Sequence, residues 1–335
     1  MSAVLSRSGA PMDDPREARM SVVIVTPDTF ATIRRTVECL ARQTARSVLE
    51  LVVVAPSLAR LDADGALLAA FARVVRVEIG PVGSIGPANA EGVRRATAPV
   101  VALAEDHAFP DPDWAERLIA AHEGPWAAVG PSVRNANPGS AVSRADLLIG
   151  YGPWLAPAEA REMAFLPGHN TSYKREVLLR FGERLGAMLD AETLLHWELR
   201  AQGRRLWLEP AARIAHANFS LWRSWLPAQY HYGRLFAGLR AGGMPRWRRI
   251  VYVAGSPLIP AVRLARIWRE ALAGPGRSAP WSCLHALVAG LAMDGLGQMA
   301  GYALGTGRAA GRVARYEFHR ARYMRPEERR ALWPA

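Results

Sequence analysis

Between residues 21 and 129 the chain alternates short apolar runs with stretches of helical spacing, and this rhythm restricts the fold more than any other feature. Residues 21–26 (SVVIVT), 49–54 (LELVVV), 74–79, 99–104 and 126–129 read as strands. The first two are almost unbroken in apolar and β-branched residues, as expected of strands covered on both faces. After the first, Phe30, Ile33, Val37 and Leu40 share one face of a helix over 29–43, with Asp28 or Thr29 available to cap it. Helices are expected likewise over 63–73, 89–97, 111–122, 174–185 and 192–202, the last stopped by Gly203. Residues 135–153, rich in Gly, Pro, Ser and Asn, read as a surface loop. The alternation predicts an α/β fold, a largely parallel sheet with helices on both faces.

Sheets of this kind bind ligands at the carboxyl ends of their strands. Thr26-Pro27-Asp28, Ala55-Pro56-Ser57 and Glu105-Asp106-His107 each follow a strand directly. Acidic and imidazole groups in the third triplet can hold a divalent cation, which would neutralise a diphosphate leaving group. A solvated polar turn would have the same composition. Asp190 and Glu192 precede an amphipathic helix; a carboxylate there can take a proton from an attacking hydroxyl, or serve only as an acidic cap and first turn. Gly168, followed by His169 and Asn170, permits close approach of backbone to a ligand, or forms a plain turn.

Composition divides the chain. Half of its 335 residues are hydrophobic, enough for a substantial core, and its two cysteines, Cys39 and Cys283, fit a reducing compartment. Residues 1–19 lack an apolar run and read as a flexible tail. The strand–helix rhythm fades after about 226, so a first domain is expected over 20–226 and a basic, apolar helical region over 227–335. From Arg240 onward there are 16 Arg against 5 acidic residues, most of the net +12. Such an excess suits a polyanionic partner.

The apolar run 250–262 is too short to span a bilayer of about 30 Å and carries Pro257 and Pro260. Residues 281–304 are long enough but include Asp294, which costs about 2.5–3.5 kcal/mol at mid-bilayer. Gly297, Gly301 and Gly305 have the spacing that lets helices approach closely, in lipid or against the rest of the protein. Residues 308–330 then supply a basic stretch suited to anionic headgroups. An anionic membrane surface is therefore the expected partner. Nucleic acid is not, because no nucleic-acid module appears and the apolar runs fit lipid better.

Taken in order, SVVIVTPDTF, TVECLARQT, LELVVVAPS, ANAEGVRRATAPVVALAEDHAFPDPDWAERLI, LPGHNTSYKREVLLRFG and AETLLHWELRAQGRRLWLEPAARIAH resemble the inverting family-2 glycosyltransferases of bacterial type, over roughly residues 21–220. The resemblance implies a GT-A-like, Rossmann-type sheet followed by a membrane-associating extension. It implies transfer of a sugar, a hexose by type, from a nucleotide-diphosphate donor to a hydroxyl of a polysaccharide, lipid-linked or glycolipid precursor of the cell envelope. The setting would be the cytoplasmic face of the inner membrane. By position, Glu192 would be the catalytic base. Thr26, Pro27, Asp28, Ser57, Asn89, Glu105 and Asp106 would bind the nucleotide sugar. Gly168, His169 and Asn170 would form the acceptor or donor loop, and Asp106, His107 and His216 would hold Mn²⁺ or Mg²⁺. The chain departs from the family pattern at Pro56, Ala88 and His107, which keeps open a catalytically silent, membrane-bound binding or scaffold subunit. A dinucleotide-dependent oxidoreductase is disfavoured, since no G-x-G-x-x-G follows the first strand.

Overall fold

The computed structural model describes residues 17–168, 170–273 and 280–333; most of the expected tail, and His169, lie outside them. Nine strands, β1 (Met20–Val25), β2 (Leu49–Ala55), β3 (Arg73–Glu78), β4 (Val100–Ala104), β5 (Ala108–Pro110), β6 (Ala128–Asn135), β7 (Arg161–Glu162), β8 (Ser172–Lys174) and β9 (Leu206–His216), form one sheet. Its order is β3-β2-β1-β4-β8-β6-β9-β5, with β7 also on β9. The first four strands are parallel, as expected. Beyond β4 the sheet is mixed: β8 runs antiparallel to β4 and β6, β6 and β9 are parallel, and β5 and β7 run antiparallel to β9.

Helices α1 (Phe30–Ala41), α2 (Gly65–Leu68), α3 (Ile85–Arg95), α4 (Trp114–Ala121), α5 (Ala141–Tyr151), α6 (Arg175–Leu179), α7 (Leu185–Leu189) and α8 (Glu192–Ala201) accompany it. The period-2 alternation of strands divides the core. Val22, Ile24, Leu51 and Val53 face one cluster with Phe30, Ile33 and Val37 of α1 and Trp114 of α4. Val23, Val25, Val52 and Val54 face the other, with Val93 of α3, Leu178 of α6 and Leu195 of α8. Both faces are thus covered, which explains the unbroken apolar runs of β1 and β2.

Several expected elements differ. The 63–73 helix contracts to α2, capped by Asp64, whose side chain accepts from Leu67 N at 3.1 Å; the chain then enters β3 at Arg73. The 174–185 helix is broken by Gly182, whose φ of 55° is left-handed and open to glycine at little cost. The 135–153 loop contains α5, started by Ser140, whose Oγ accepts from Ser143 N at 3.0 Å. Its turn-like composition concealed an apolar face that buries Val142, Ala145 and Leu147.

The remaining helices are α9 (Trp222–Ala241), α10 (Arg246–Gly255), α11 (Ile259–Leu272), α12 (Leu284–Leu304), α13 (Ala309–Glu317) and α14 (Pro326–Leu332). The glycine spacing of α12 serves contact within the protein. A Cβ at Gly297 or Gly301 would strike the backbone of Tyr230 or Arg234 in α9, and one at Gly233 of α9 would strike Asp294. Asp294 is not stranded, because it takes hydrogen bonds from Arg263 of α11 at 2.6 Å and Gln298 at 2.8 Å. Pro257 and Pro260 do not end the run expected over 250–262. They sit in first-turn positions, where the missing N–H is not needed, so Arg246–Leu272 is one 27-residue helical run. By length and composition alone that run could cross a membrane.

Two imidazoles are stored neutral in the core. Burial, helped by repulsion from Lys174, pushes His122 down to about 3, and burial does the same to His196. Unfolding exposes groups that protonate below about pH 6.5, so the stability they confer is complete above that pH. It falls, for each residue, by about 1.4 kcal/mol per pH unit as pH drops toward 3. Relative to wild type, His122→Gln should flatten the dependence of unfolding free energy on pH between 6 and 4.5 by about that slope. Parallel curves for the two proteins would exclude His122 as a source of acid sensitivity.

Candidate active site

The corner at the end of β4 is assembled by strand pairing. β5 and β9 pair with Ala108 opposite His216, and Ala217 N donates to His107 O at 2.9 Å. This register places the rings of His107 and His216 edge to face, with centroids 4.9 Å apart. Thr36 of α1 donates its hydroxyl to Glu105 O at 2.9 Å, pinning the turn between β4 and β5. Glu105 Oε2 then lies 3.7 Å from His107 Nε2 and 3.6 Å from His216 Nε2.

The neighbours of these rings fix their tautomers. Asp106 Oδ1, 2.6 Å from His107 Nδ1, can only accept, so that nitrogen carries the proton and Nε2 presents a lone pair. Asn218 Oδ1 does the same for His216 Nδ1 at 2.9 Å. The Asn218 amide is held in this orientation because its Nδ2 donates to Asn135 Oδ1 and His216 O, both at 3.0 Å. Two imidazole nitrogens and one carboxylate oxygen thus converge within 4.8 Å, a donor set that fits a divalent cation. Asp106, expected among the ligands, is placed differently. Its oxygens accept from His107 Nδ1 and from His319 N at 2.9 Å, so it orients the His107 ring, while the carboxylate oxygen that converges on the two imidazoles is that of Glu105.

The loop from Pro167 to Thr171 connects this corner to Glu192. Asn170 donates its Nδ2 to Glu105 Oε2 at 2.8 Å. Two residues earlier, Gly168 lies so close to Glu192 that an added Cβ would be 3.3 Å from Glu192 Oε2. Two residues of chain span at most about 7 Å. The loop is closed on itself by Thr171, whose hydroxyl bonds Pro167 O, and is tied to β4 by Leu103 N to Thr171 O at 3.2 Å. Glu192 is buried and opens α8, where free N–H groups and the helix dipole favour an anion. Asp190, the other acidic candidate here, accepts from Ser84 Oγ at 2.5 Å and Gly86 N at 2.8 Å. It caps α3 from a distance, which explains why that helix begins at Ile85, before the expected 89.

The expected nucleotide residues lie along neighbouring strand ends. Thr26 is buried and donates to Thr29 O at 2.7 Å. Asp28 Oδ1 accepts from Thr29 N at 2.6 Å and Thr32 Oγ1 at 2.7 Å, while its Oδ2 is 3.1 Å from His319 Nε2. Partial burial raises the Asp28 carboxyl, but Thr32, Thr29 and His319 outweigh it and hold the group below the usual carboxylate range. Asn89 is buried in α3 beside Glu105 and Asp106, and its Oδ1 has no hydrogen-bond partner among the described residues. Pro27 and Ser57 are half-buried at the ends of β1 and β2.

Residues from the far end of the chain complete the corner, and no spacing in the sequence signals them. Arg320 is buried, with one Nη 3.2 Å from His107 Nε2 and 2.7 Å from Glu317 Oε2, and its guanidinium 4.0 Å above the Phe219 ring. Burial disfavours the cation, but Glu317, Asp146 and Glu105 overcome it and hold Arg320 charged, above its ordinary value. Asp146, 3.9 Å away, is pushed up to about 6 by burial, against Arg320 and hydrogen bonds from Trp225 Nε1 and Phe219 N. A cavity of about 20 Å³ remains among Asn89, Glu105, Asp106, His107, Glu317 and Phe318, room for about one water.

Replacing His216 by Ala removes one converging nitrogen. Calorimetric titration with Co²⁺ should show at least about tenfold weaker binding than wild type, and unchanged affinity would remove His216 from the ligand set.

Solved structures similar to the chain include three glycosyltransferases. GalNAc-T7 with UDP, GalNAc and Mn²⁺ is 15% identical over 66% of this chain and 48% of that one, with a TM-score of 0.45. TarS of S. aureus, residues 1–349 in complex with UDP, is 13% identical over 85% of this chain and 91% of that one, TM-score 0.45. The mannosyltransferase PcManGT from Pyrobaculum calidifontis, in complex with GDP-Man and Mn²⁺, is 19% identical over 91% of this chain and 82% of that one, TM-score 0.46. The chain spans about half the length of the first. No curated protein matches it in sequence. Residues 21–182, covering β1 through α6, match the model of the family Glycosyl transferase family 2.

Proposed function

We propose that the protein transfers a sugar from a nucleotide-diphosphate donor to an acceptor hydroxyl with inversion, at an anionic membrane surface. The observation that carries this reading is the loop that touches Glu105 through Asn170 and abuts Glu192 through Gly168. A diphosphate corner and a buried carboxylate at a helix start thereby face one short segment. Glu105, His107 and His216 would hold the divalent cation, with Asp106 and Asn218 orienting the two imidazoles. When bound, that cation offsets negative charge on the departing diphosphate. Glu192 takes the proton of the acceptor hydroxyl as its oxygen attacks the anomeric carbon, and the sugar–phosphate bond breaks on the opposite side. Asn89, on α3 beside the corner, has an amide oxygen without a partner among the described residues and would offer it to the donor. The match of residues 21–182 to family 2 supports the reaction class; the sugar, hexose by expectation, and the cell-envelope acceptor rest on the resemblance read from the sequence.

The membrane part of the reading rests on the helical run Arg246–Leu272. Trp247 and Ile250 are about two-thirds exposed, Leu258 and Val262 are also exposed, and Arg246, Arg248, Arg249, Arg266 and Arg269 flank them. Apolar side chains within an arginine-rich frame suit the boundary between acyl chains and anionic headgroups. The cytoplasmic face of an inner membrane is the setting that fits.

Two experiments test these statements. Glu192→Gln should reduce transfer from a panel of nucleotide sugars with Mn²⁺ by about 10²–10⁴-fold while donor binding persists; full turnover by the variant would take Glu192 out of the mechanism. Absence of binding by every donor would favour a silent scaffold instead. Trp247→Glu combined with Ile250→Glu should abolish sedimentation with vesicles containing phosphatidylglycerol and leave the melting temperature unchanged. Undiminished sedimentation would place the lipid contact elsewhere.

A further inference from the structure

We propose that residues 317–320 form a latch that occupies the cation and donor corner, with Arg320 at the place the metal would take, so that ligand binding requires the latch to leave. The inference rests on the sugar-transfer reading only for the identity of the displacing ligand. The occupancy itself is geometric. Arg320 directs an N–H at the Nε2 lone pair of His107, the lone pair that Asp106 leaves available for a metal. One lone pair cannot serve both. His319 spans the adjoining strand ends, its ring 3.1 Å from Asp28 and its backbone N–H on Asp106 at 2.9 Å. Phe318 fills space beside Asn89, leaving a cavity far too small for a nucleotide diphosphate.

The latch is also built to come away. His319 has φ 57°, a left-handed conformation that a side chain other than glycine's adopts at a cost, so this turn is held by its contacts. Arg320 Nε is buried without a hydrogen-bond partner among the described residues. In the open state the guanidinium regains water, and Glu105, His107 and His216 become available together. The segment begins at the last residue of α13 and precedes α14, both short helices, so a change confined to 317–325 would free it.

The test uses the full chain and Mn²⁺, titrated by the electron paramagnetic resonance signal of the free ion. Two variants disable the latch by different means. Arg320→Gln removes the competing cation. His319→Pro keeps that cation but forbids the turn, since proline fixes φ near −65° and lacks the N–H given to Asp106. If the closed form outnumbers the open by about ten to one, either variant with a wild-type circular dichroism spectrum should bind Mn²⁺ about tenfold more tightly. In the wild type, amide hydrogen exchange over 317–323 should accelerate when Mn²⁺ with UDP or GDP is added. Equal or weaker Mn²⁺ affinity in both variants, or slowed exchange on ligand addition, overturns the latch. Tighter Mn²⁺ binding without binding of any nucleotide supports it while sinking the sugar-transfer reading.

Discussion

The candidate site depends on one short antiparallel pairing, three residues of β5 against the end of β9. Without it His107 and His216, more than a hundred positions apart in sequence, would have no reason to meet. With Ala108 opposite His216, the two rings must lie side by side at the edge of the sheet, and Glu105 completes the group from the end of β4. The pairing is held on both flanks. Thr36 fixes the turn between β4 and β5 from α1, and the Asn135–Asn137–Asn218 cluster fixes the chain beyond β9, with Asn137 Nδ2 on Asn218 O and Asn218 N on Asn137 Oδ1. Rigid support of this kind makes ligand geometry insensitive to the mobility of surface loops.

The parallel half of the fold was legible because burial on both faces leaves a local mark: unbroken apolar runs, each followed by a helical pattern. Most of the mixed half leaves no such mark, the apolar run 126–129 at the start of β6 apart. β8 is three residues long and β7 two, and β9 carries Glu209, Pro210 and Arg213 within an otherwise apolar stretch. Composition misled at 135–153, where glycines and prolines concealed a helix, and at Pro257 and Pro260, where position within the first turn matters more than the residue type.

Of the candidate site, the triplet 105–107 was readable as polar groups at a strand end, Gly168 and Asn170 as a loop, and Glu192 as an acidic helix start. Their division of labour was not. That Glu105 converges on the imidazoles while Asp106 turns to His319 is settled by side-chain direction within a turn, which spacing does not encode. Asp190 and Glu192, two residues apart and equivalent in type, separate only through tertiary contacts: one caps α3, the other faces Gly168. Arg320 was invisible among 16 arginines after position 239. A buried arginine beside carboxylates differs from a surface one in its surroundings alone.

In the closed form, charged groups of the C-terminal segment meet those of the sheet at the corner. Arg320 pairs with Glu317 at 2.7 Å within the C-terminal segment and reaches across to His107 at 3.2 Å and Asp146 at 3.9 Å. The most direct measurement of the account is anomalous diffraction from crystals of the full chain grown with Mn²⁺ and a nucleoside diphosphate. An anomalous peak is expected among Glu105 Oε2, His107 Nε2 and His216 Nε2, with the diphosphate beside it and Arg320 displaced. Manganese and nucleotide bound elsewhere, with Arg320 still against His107, would contradict it.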